Sequence, residues 1–376
     1  MTLVTPQPAP AADTGPKNPL ISYADGQAHD VTLEGTSLMV RTRATGALSQ
    51  WKITSVATAA AAPGLALAQV EGETTGPGAA THLLAALEAA FAHHPANRSI
   101  VVADAQRFGE LAQSGVLLPI SGGTDARAWR DMLWQHARMW LPAVHAAPAP
   151  IALQYALTHG KRHPVRPPKP RGVLYQRFIP WLGKTFSFRS IDFERDLPLF
   201  NRWMNDPDVA KIWEEEGDLG KHRAYLDAID RDPHMYSMIA SFDGEPFAYF
   251  EMYWAKESRI APFYDVDDHD RGWHVLVGEP AYRGKAYATA WLTSISHYIF
   301  LCDPRTQRAM GEPRIDHVQQ IRNLDKSGYA KVKEFDLPHK RAMLVMMLRE
   351  RYFCDALWLP RDDAAVISGR PLSATP

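Results

Sequence analysis

Most of the chain alternates between apolar and polar residues with the period of a strand, and a few longer stretches carry helical spacing. Phe186 to Ile191 (FSFRSI) predicts a strand. Leu197 to Pro207 (LPLFNRWMNDP) predicts a helix that Asp206-Pro207 stops. Two apolar runs, His234 to Ser241 and Glu245 to Ala255, flank Asp243-Gly244, a dipeptide suited to a two-residue hairpin turn. Arg271 to Gly278 (RGWHVLVG) predicts a further strand, followed by a short loop and a helix from Ala286 to Phe300. Beyond these, Glu312 to Ile315 predicts a short strand, Val318 to Gly328 a helix closed by its glycine, and Tyr329 to Phe335 the last strand. The expected fold class is mixed α/β.

The N-terminal portion echoes this order. Ser37–Ala44, Ser49–Val56 and Leu65–Glu71 predict strands, and Thr74–His94 a helix. Ser99–Ala103, Arg107–Gly115 and Val116–Ile120 then repeat the strand, glycine-closed helix, strand series. An internal structural duplication explains the repeat; the alternative is that any small α/β domain gives such an order. Proline-rich stretches set the boundaries. They give a disordered leader over 1–19, an N-terminal domain over 20–145, a linker over 146–184, a C-terminal domain over 185–360 and a tail over 361–376.

Composition narrows the function classes. At 376 residues, with 46% hydrophobic and 22% charged, the chain has the usage of two well-buried domains. A net charge of −1 provides no basic field for nucleic acid. Two cysteines are too few for a disulfide framework. No stretch reaches the ~18 apolar residues of a membrane span, and the N-terminus lacks the pattern of a signal peptide. A soluble cytoplasmic protein is the expectation.

The chemistry concentrates in Gly272 to Leu292 (GWHVLVGEPAYRGKAYATAWL), where a strand ends in Arg283-Gly284-Lys285-Ala286-Tyr287-Ala288 as a helix begins. A helix N-terminus offers unpaired N–H groups and a positive dipole end, and small residues there let a diphosphate come close. By itself such a loop is a weak signal. The pattern R-G-x-A-x-A after an apolar strand resembles the acyl-CoA pyrophosphate loop of the GNAT acyltransferase superfamily, with alanine at Ala286 where a second glycine is commonest. Together with Trp203 to Glu215 (WMNDPDVAKIWEE) and Gly311 to Leu344, it is similar to the siderophore-biosynthesis acyltransferases of the aerobactin, alcaligin and rhizobactin pathways, over roughly Phe186 to Trp358.

That resemblance implies a catalytic GNAT domain at the C-terminus, preceded by a smaller, degenerate GNAT-like domain. The degenerate copy keeps a Gly-Pro-Gly loop at Gly76–Gly78 but has no basic residue in it and no histidine in the strand before it. It is expected to shape the groove or a homodimer interface. The implied reaction is direct acyl transfer from acetyl-CoA or another acyl-CoA to an N-hydroxylated diamine amino acid such as N6-hydroxylysine or N5-hydroxyornithine, giving a hydroxamate, without a metal.

The resemblance places a catalytic histidine at His274 and an aspartate at Asp316, the carboxylate fixing the ring tautomer so that the other nitrogen acts as base. Without it, His274 reads as a hydrogen-bonded core residue and Asp316 as a helix cap. Leu276, Arg283, Gly284, Lys285, Ala286 and Ala288 are the candidate acyl-CoA contacts. Trp213, Glu214, Arg322, Asn323, His339 and Lys340 are the candidates for the substrate's charged head. An N-hydroxylating monooxygenase upstream and a siderophore synthetase downstream follow as pathway partners. The competing readings are an aminoglycoside or other amine acetyltransferase, favoured by a strongly acidic pocket, and a non-catalytic GNAT-like scaffold.

Overall fold

The computed structural model describes residues 19–57, 64–73, 75–142 and 153–360, so the leader, the tail and the first part of the expected linker lie outside the described residues. The N-terminal unit begins with β1 (Leu20–Ser22), β2 (His29–Glu34), β3 (Ser37–Thr42), β4 (Leu48–Val56) and β5 (Gly64–Gly72). It continues with α1 (Pro77–His93), β6 (Ser99–Val102), α2 (Gly109–Gln113), β7 (Leu117–Pro119), β8 (Ala126–Trp129) and α3 (Arg130–Trp134). A hairpin of β9 (Tyr155–Thr158) and β10 (Lys161–Pro164) follows.

The C-terminal unit comprises β11 (Val173–Ile179), β12 (Lys184–Ser190), α4 (Phe193–Met204), α5 (Pro207–Trp213), α6 (Leu219–Arg231), β13 (Met235–Phe242), β14 (Glu245–Trp254) and β15 (Arg271–Val277). Then come α7 (Lys285–Cys302), β16 (Arg308–Gly311), α8 (Val318–Lys326), β17 (Ala330–Leu337), β18 (Lys340–Leu348) and α9 (Arg349–Cys354).

The two units share one topology. Their sheets run β1-β2-β3-β4-β5-β6-β8-β7 and β11-β12-β13-β14-β15-β16-β18-β17. Each has one parallel pair in the same place, β5 with β6 and β15 with β16, bridged by a long helix. Those helices, α1 and α7, are apolar on every side for most of their length, so both are buried within the fold rather than lying on its surface. The units differ between their second and third strands. There the N-terminal unit makes a tight turn through Gly35, whereas the C-terminal unit inserts α4, α5 and α6.

One apolar core runs through both units. Trp134 of α3 stacks on Trp140 at 4.4 Å and on Trp358 at 4.5 Å, and its carbonyl accepts a 2.7 Å bond from Nε2 of His297 on α7. Among the described residues no helix is long and apolar enough to cross a membrane.

Several sequence expectations need correction. Asp206-Pro207 ends one helix and starts another, because the Asp206 side chain caps the N–H groups of Asp208 and Val209 and Pro207 stands at the first helical position. Glu312 to Ile315 is not a strand. Pairing with β15 engages Ala309 and Met310, so the strand lies earlier, and Arg314 makes an isolated bridge to Ala342. Tyr329 to Phe335 is not the last strand of the chain: β18 follows and inserts between β16 and β17, leaving β17 at the edge of the sheet. The proline-rich stretch is structured from 153 on, as the β9–β10 hairpin and as β11, the first strand of the second sheet.

Candidate active site

The parallel strands β15 and β16 pair only at Arg271 with Ala309 and Gly272 with Met310. From Trp273 onward they splay, leaving one edge of β15 without a strand partner, and in a ladder alternate N–H groups turn to each edge. A cleft of about 910 Å³ passes through this gap. On one side lie Ala288 and Trp291 of α7 and Asn323 of α8; on the other lie Trp213 of α5 and Tyr225 of α6.

Side-chain alternation sorts β15. Trp273, Val275 and Val277 face the large core around α7, while His274 and Leu276 face α4–α6. Glu251 of β14 stands directly opposite His274 in the register and on the same face. Its Oε2 receives Nδ1 of His274 at 2.8 Å, and its Oε1 receives the hydroxyls of Tyr225 at 2.6 Å and Tyr249 at 3.0 Å. The other ring nitrogen, Nε2, meets Oε1 of Glu312 at 2.8 Å, just past the end of β16.

Glu312 is held on its second oxygen by the Tyr253 hydroxyl at 2.6 Å, and its carbonyl accepts from Nζ of Lys340 at 2.7 Å. Tyr253 stands opposite Gly272, and a Cβ there would collide with the phenol ring. The glycine is thus required for the tyrosine that orients Glu312.

Burial alone would discourage charge on His274. The carboxylates of Glu312 and Glu251 outweigh it, and the imidazole is pushed up to about 9. Burial likewise acts to raise the two carboxyls, yet the imidazolium and its hydrogen bonds hold Glu312 down at about 2 and keep Glu251 below its usual range. At neutral pH the site is an imidazolium clamped between two carboxylates.

The structure distributes the sequence candidates unevenly. Asp316 does not reach His274; it lies in an exposed turn with both oxygens held by Arg314 at 3.1 and 3.0 Å, because the strand ends at Gly311 and the carboxylate beside His274 comes four residues earlier. Nor does its side chain cap α8, whose N-cap is His317. Trp213, Glu214, Asn323, His339 and Lys340 line the cleft, whereas Arg322 is exposed on α8 outside it. The Trp213 ring lies edge-on to His274 at 6.5 Å. Glu214 adopts a left-handed backbone at the end of α5 and binds Arg314 at 2.6 Å.

At the head of α7, Gly284 caps the helix without a side-chain bond, and a Cβ there would meet open space. First-turn N–H groups lack a helical acceptor. Ala288 lines the cleft, whereas Gly284, Lys285 and Ala286 are exposed and are not among its lining residues. Arg283 also lines the cleft, but its guanidinium is engaged by Asp208 at 2.9 Å, Asp206 at 3.3 Å and the Val277 carbonyl at 3.1 Å. It ties the loop to α5. Leu276 is buried against Trp213 and Tyr249, and its backbone groups turn to Tyr249 of β14, in phase with the Gly278 N–H bond to the Phe247 carbonyl, so the free edge belongs to Val275 and Val277.

Glu251 and Glu312 are absent from the sequence expectations. One signal existed for Glu251: a carboxylate within an otherwise apolar strand needs a buried partner. Glu312 carried no comparable signal, because its proximity to His274 depends on where β16 ends.

An acetyltransferase (GNAT) domain model matches residues 192–337. The N(6)-hydroxylysine O-acetyltransferase of Escherichia coli is 40% identical over 228 residues, 60% of this chain and 72% of that protein. The N(5)-hydroxyornithine:cis-anhydromevalonyl coenzyme A-N(5)-transacylase of Beauveria bassiana is 46% identical over 195 residues, 51% of this chain and 43% of its own length. A hydroxyornithine transacylase of Ajellomyces capsulatus is 45% identical over 224 residues, 57% of this chain and 50% of its own. The chain therefore spans half or less of either fungal relative.

Proposed function

Because the chain belongs to the GNAT acyltransferases related to the siderophore hydroxylysine and hydroxyornithine enzymes, we propose that it transfers an acyl group, acetyl in the simplest case, from coenzyme A to the hydroxylamine nitrogen of an N-hydroxylated diamine amino acid such as N6-hydroxylysine. The observation that carries this reading is the Glu251–His274–Glu312 clamp at the splay of β15 and β16.

The acyl donor fits the α7 side, where an uncapped helix N-terminus with open space before Gly284 suits a diphosphate and the free edge of β15 suits a pantetheine arm. The hydroxylamine enters from the α5–α6 side. A hydroxylamine is a weak base, so the nitrogen attacks as the neutral species and turns acidic as the N–C bond forms. Glu312 accepts that proton. His274, charged at rest, gives its own proton to the departing sulfur as the C–S bond breaks, and proton transfer from Glu312 to His274 restores the site. Alignment of the two reactants supplies the larger share, ~7–11 kcal/mol, against ~10²–10⁴-fold for proton transfer. This assignment makes His274 the acid and Glu312 the base.

The carboxylates around the cleft are mostly paired, Asp208 with Arg283, Glu214 with Arg314 and Glu257 with Arg166. Such a lining does not attract a polycationic drug.

The test is incubation with acetyl-CoA and N6-hydroxylysine, N5-hydroxyornithine or lysine, reading thiol release and ferric-hydroxamate colour. Since the bacterial relative is named for O-acetyl transfer, colour matters: the N-acyl product forms the ferric complex and an O-acyl ester does not. Colour with a hydroxylated amine supports the reading; thiol release without colour refutes it. The pH profile tests the roles. With His274 as acid, kcat holds near neutrality and falls above about 9; a rise toward pH 9 would return His274 to the role of base.

A further inference from the structure

The segment expected to be a solvated linker braces one wall of the cleft from behind, through the loop at Glu257 and Ser258. Nζ of Lys161 on β10 donates to the carbonyls of Glu257 at 2.7 Å and Ser258 at 2.9 Å. Arg166, just past β10, grips both oxygens of Glu257 at 2.6 and 2.8 Å while its guanidinium lies 4.1 Å over the Trp254 ring. His163 adds a contact to Glu257 at 3.0 Å. The loop after β14 is thereby pinned at residues 257 and 258, and again at Ile260, which is fully buried. Arg259 sits between these anchors.

Its backbone is fixed, but its side chain is uncommitted. Half exposed, it lines the cleft and makes no bond closer than a 3.7 Å approach to Oε1 of Glu312, beyond hydrogen-bond distance. Lys340 and His339 line the same cleft, and burial lowers the Lys340 ammonium from its ordinary value. Lys340 already donates to the Glu312 carbonyl and burial with the neighbouring cations holds His339 below its ordinary value, so Arg259 is the cation of this rim with donors to spare. A guanidinium with free donors on a rigid loop is suited to bidentate capture of a carboxylate.

We propose that Arg259, held in place by Lys161 and Arg166, anchors the α-carboxylate of the acceptor, so that the enzyme selects an N-hydroxylated α-amino acid over the corresponding decarboxylated N-hydroxydiamine. The inference rests on the acyl-transfer reading above and deepens it. The methylene chain of the acceptor spans the distance between the hydroxylamine nitrogen at His274 and the carboxylate at the rim, and Arg259 has the length and freedom to meet it.

The test compares kcat/KM for N6-hydroxylysine and for N-hydroxycadaverine, which has the same chain without the carboxylate, in the wild type and in Arg259→Ala, Arg259→Lys and Lys161→Ala. The wild type is expected to prefer N6-hydroxylysine by ~10- to 30-fold, the lower part of the range for hydrogen bonds to a charged group. Arg259→Ala collapses that preference by raising KM for hydroxylysine and leaves N-hydroxycadaverine unchanged; Arg259→Lys recovers part of it. Lys161→Ala, a positioning change, raises KM for hydroxylysine several-fold with kcat unaltered. Equal use of both amines by the wild type, or an equal loss for both in Arg259→Ala, overturns the subsite while hydroxamate formation stands. Absence of hydroxamate from either amine overturns the acyl-transfer reading and this one with it.

Discussion

Gly272 shows how one missing side chain organises the clamp. The residue opposite it, Tyr253, occupies the space a Cβ would take and donates to Glu312, which in turn holds Nε2 of His274. Gly272→Ala forces the ring aside, at a cost typical of overpacking, ~1–3 kcal/mol. The expected outcome is a modestly lower melting temperature and a loss of kcat of ~10-fold, less than the ~10²–10⁴-fold of positioned proton transfer because Glu312 is displaced and not removed, with KM for acyl-CoA little changed. Unaltered kcat in a folded Gly272→Ala variant would separate Tyr253 from catalysis. The histidine was a candidate through the family resemblance alone, and its partners were not legible. Glu251 depends on β14–β15 register and Glu312 on a strand that stops at Gly311, and both are tertiary facts that residue spacing does not encode. Asp316 was the carboxylate to which the resemblance pointed.

Elements were read best where local chemistry is strong. The Asp243-Gly244 hairpin follows from its turn residues, both at positive φ, and α8 closes at Gly328, also at positive φ. Composition misled where tertiary contact decides: β10 lies in a stretch of prolines and basic residues, and its Lys161 is a loop clamp. The Asp206-Pro207 junction was read as a stop, which it is, but it is also a start. Asp206 has two duties, capping α5 and receiving Arg283 from the loop before α7, so it couples the acceptor wall to the acyl-CoA loop. Asp206→Ala is expected to cost ~1 kcal/mol as a lost cap. It should also raise KM for acyl-CoA as the Arg283 loop loosens, with kcat for bound substrates preserved. Thermal melts and initial rates across acyl-CoA concentration measure both, and an unchanged KM would confine Asp206 to stability.

At the scale of the whole molecule, duplication explains what each unit can do. Both carry the same strand order and the same long buried helix, but only the C-terminal unit inserts α4–α6, and these supply the acceptor wall with Trp213 and Tyr225. The N-terminal unit therefore keeps the scaffold without the wall, and its contribution runs through the shared core. Glu88 of α1 lies in that core, 5% exposed, with Oε2 lacking a hydrogen-bond partner. Burial pushes its carboxyl up to about 8, with Arg177 of β11 in the other unit acting in the opposite sense.

The linkage has a definite sign. The unfolded chain releases this proton near pH 4.5, whereas the folded chain keeps it until about 8, so the contribution of Glu88 to stability is complete below 4.5 and declines as pH rises between the two. Glu88→Gln removes the titration while keeping the shape. It should raise the melting temperature at pH 8, by a free energy on the order of 4 kcal/mol, and leave it nearly unchanged at pH 4.5. Equal effects at both pH values would mean that Glu88 finds a charged partner in the core, and that the two units are joined there by an ion pair instead of by packing around a neutral acid.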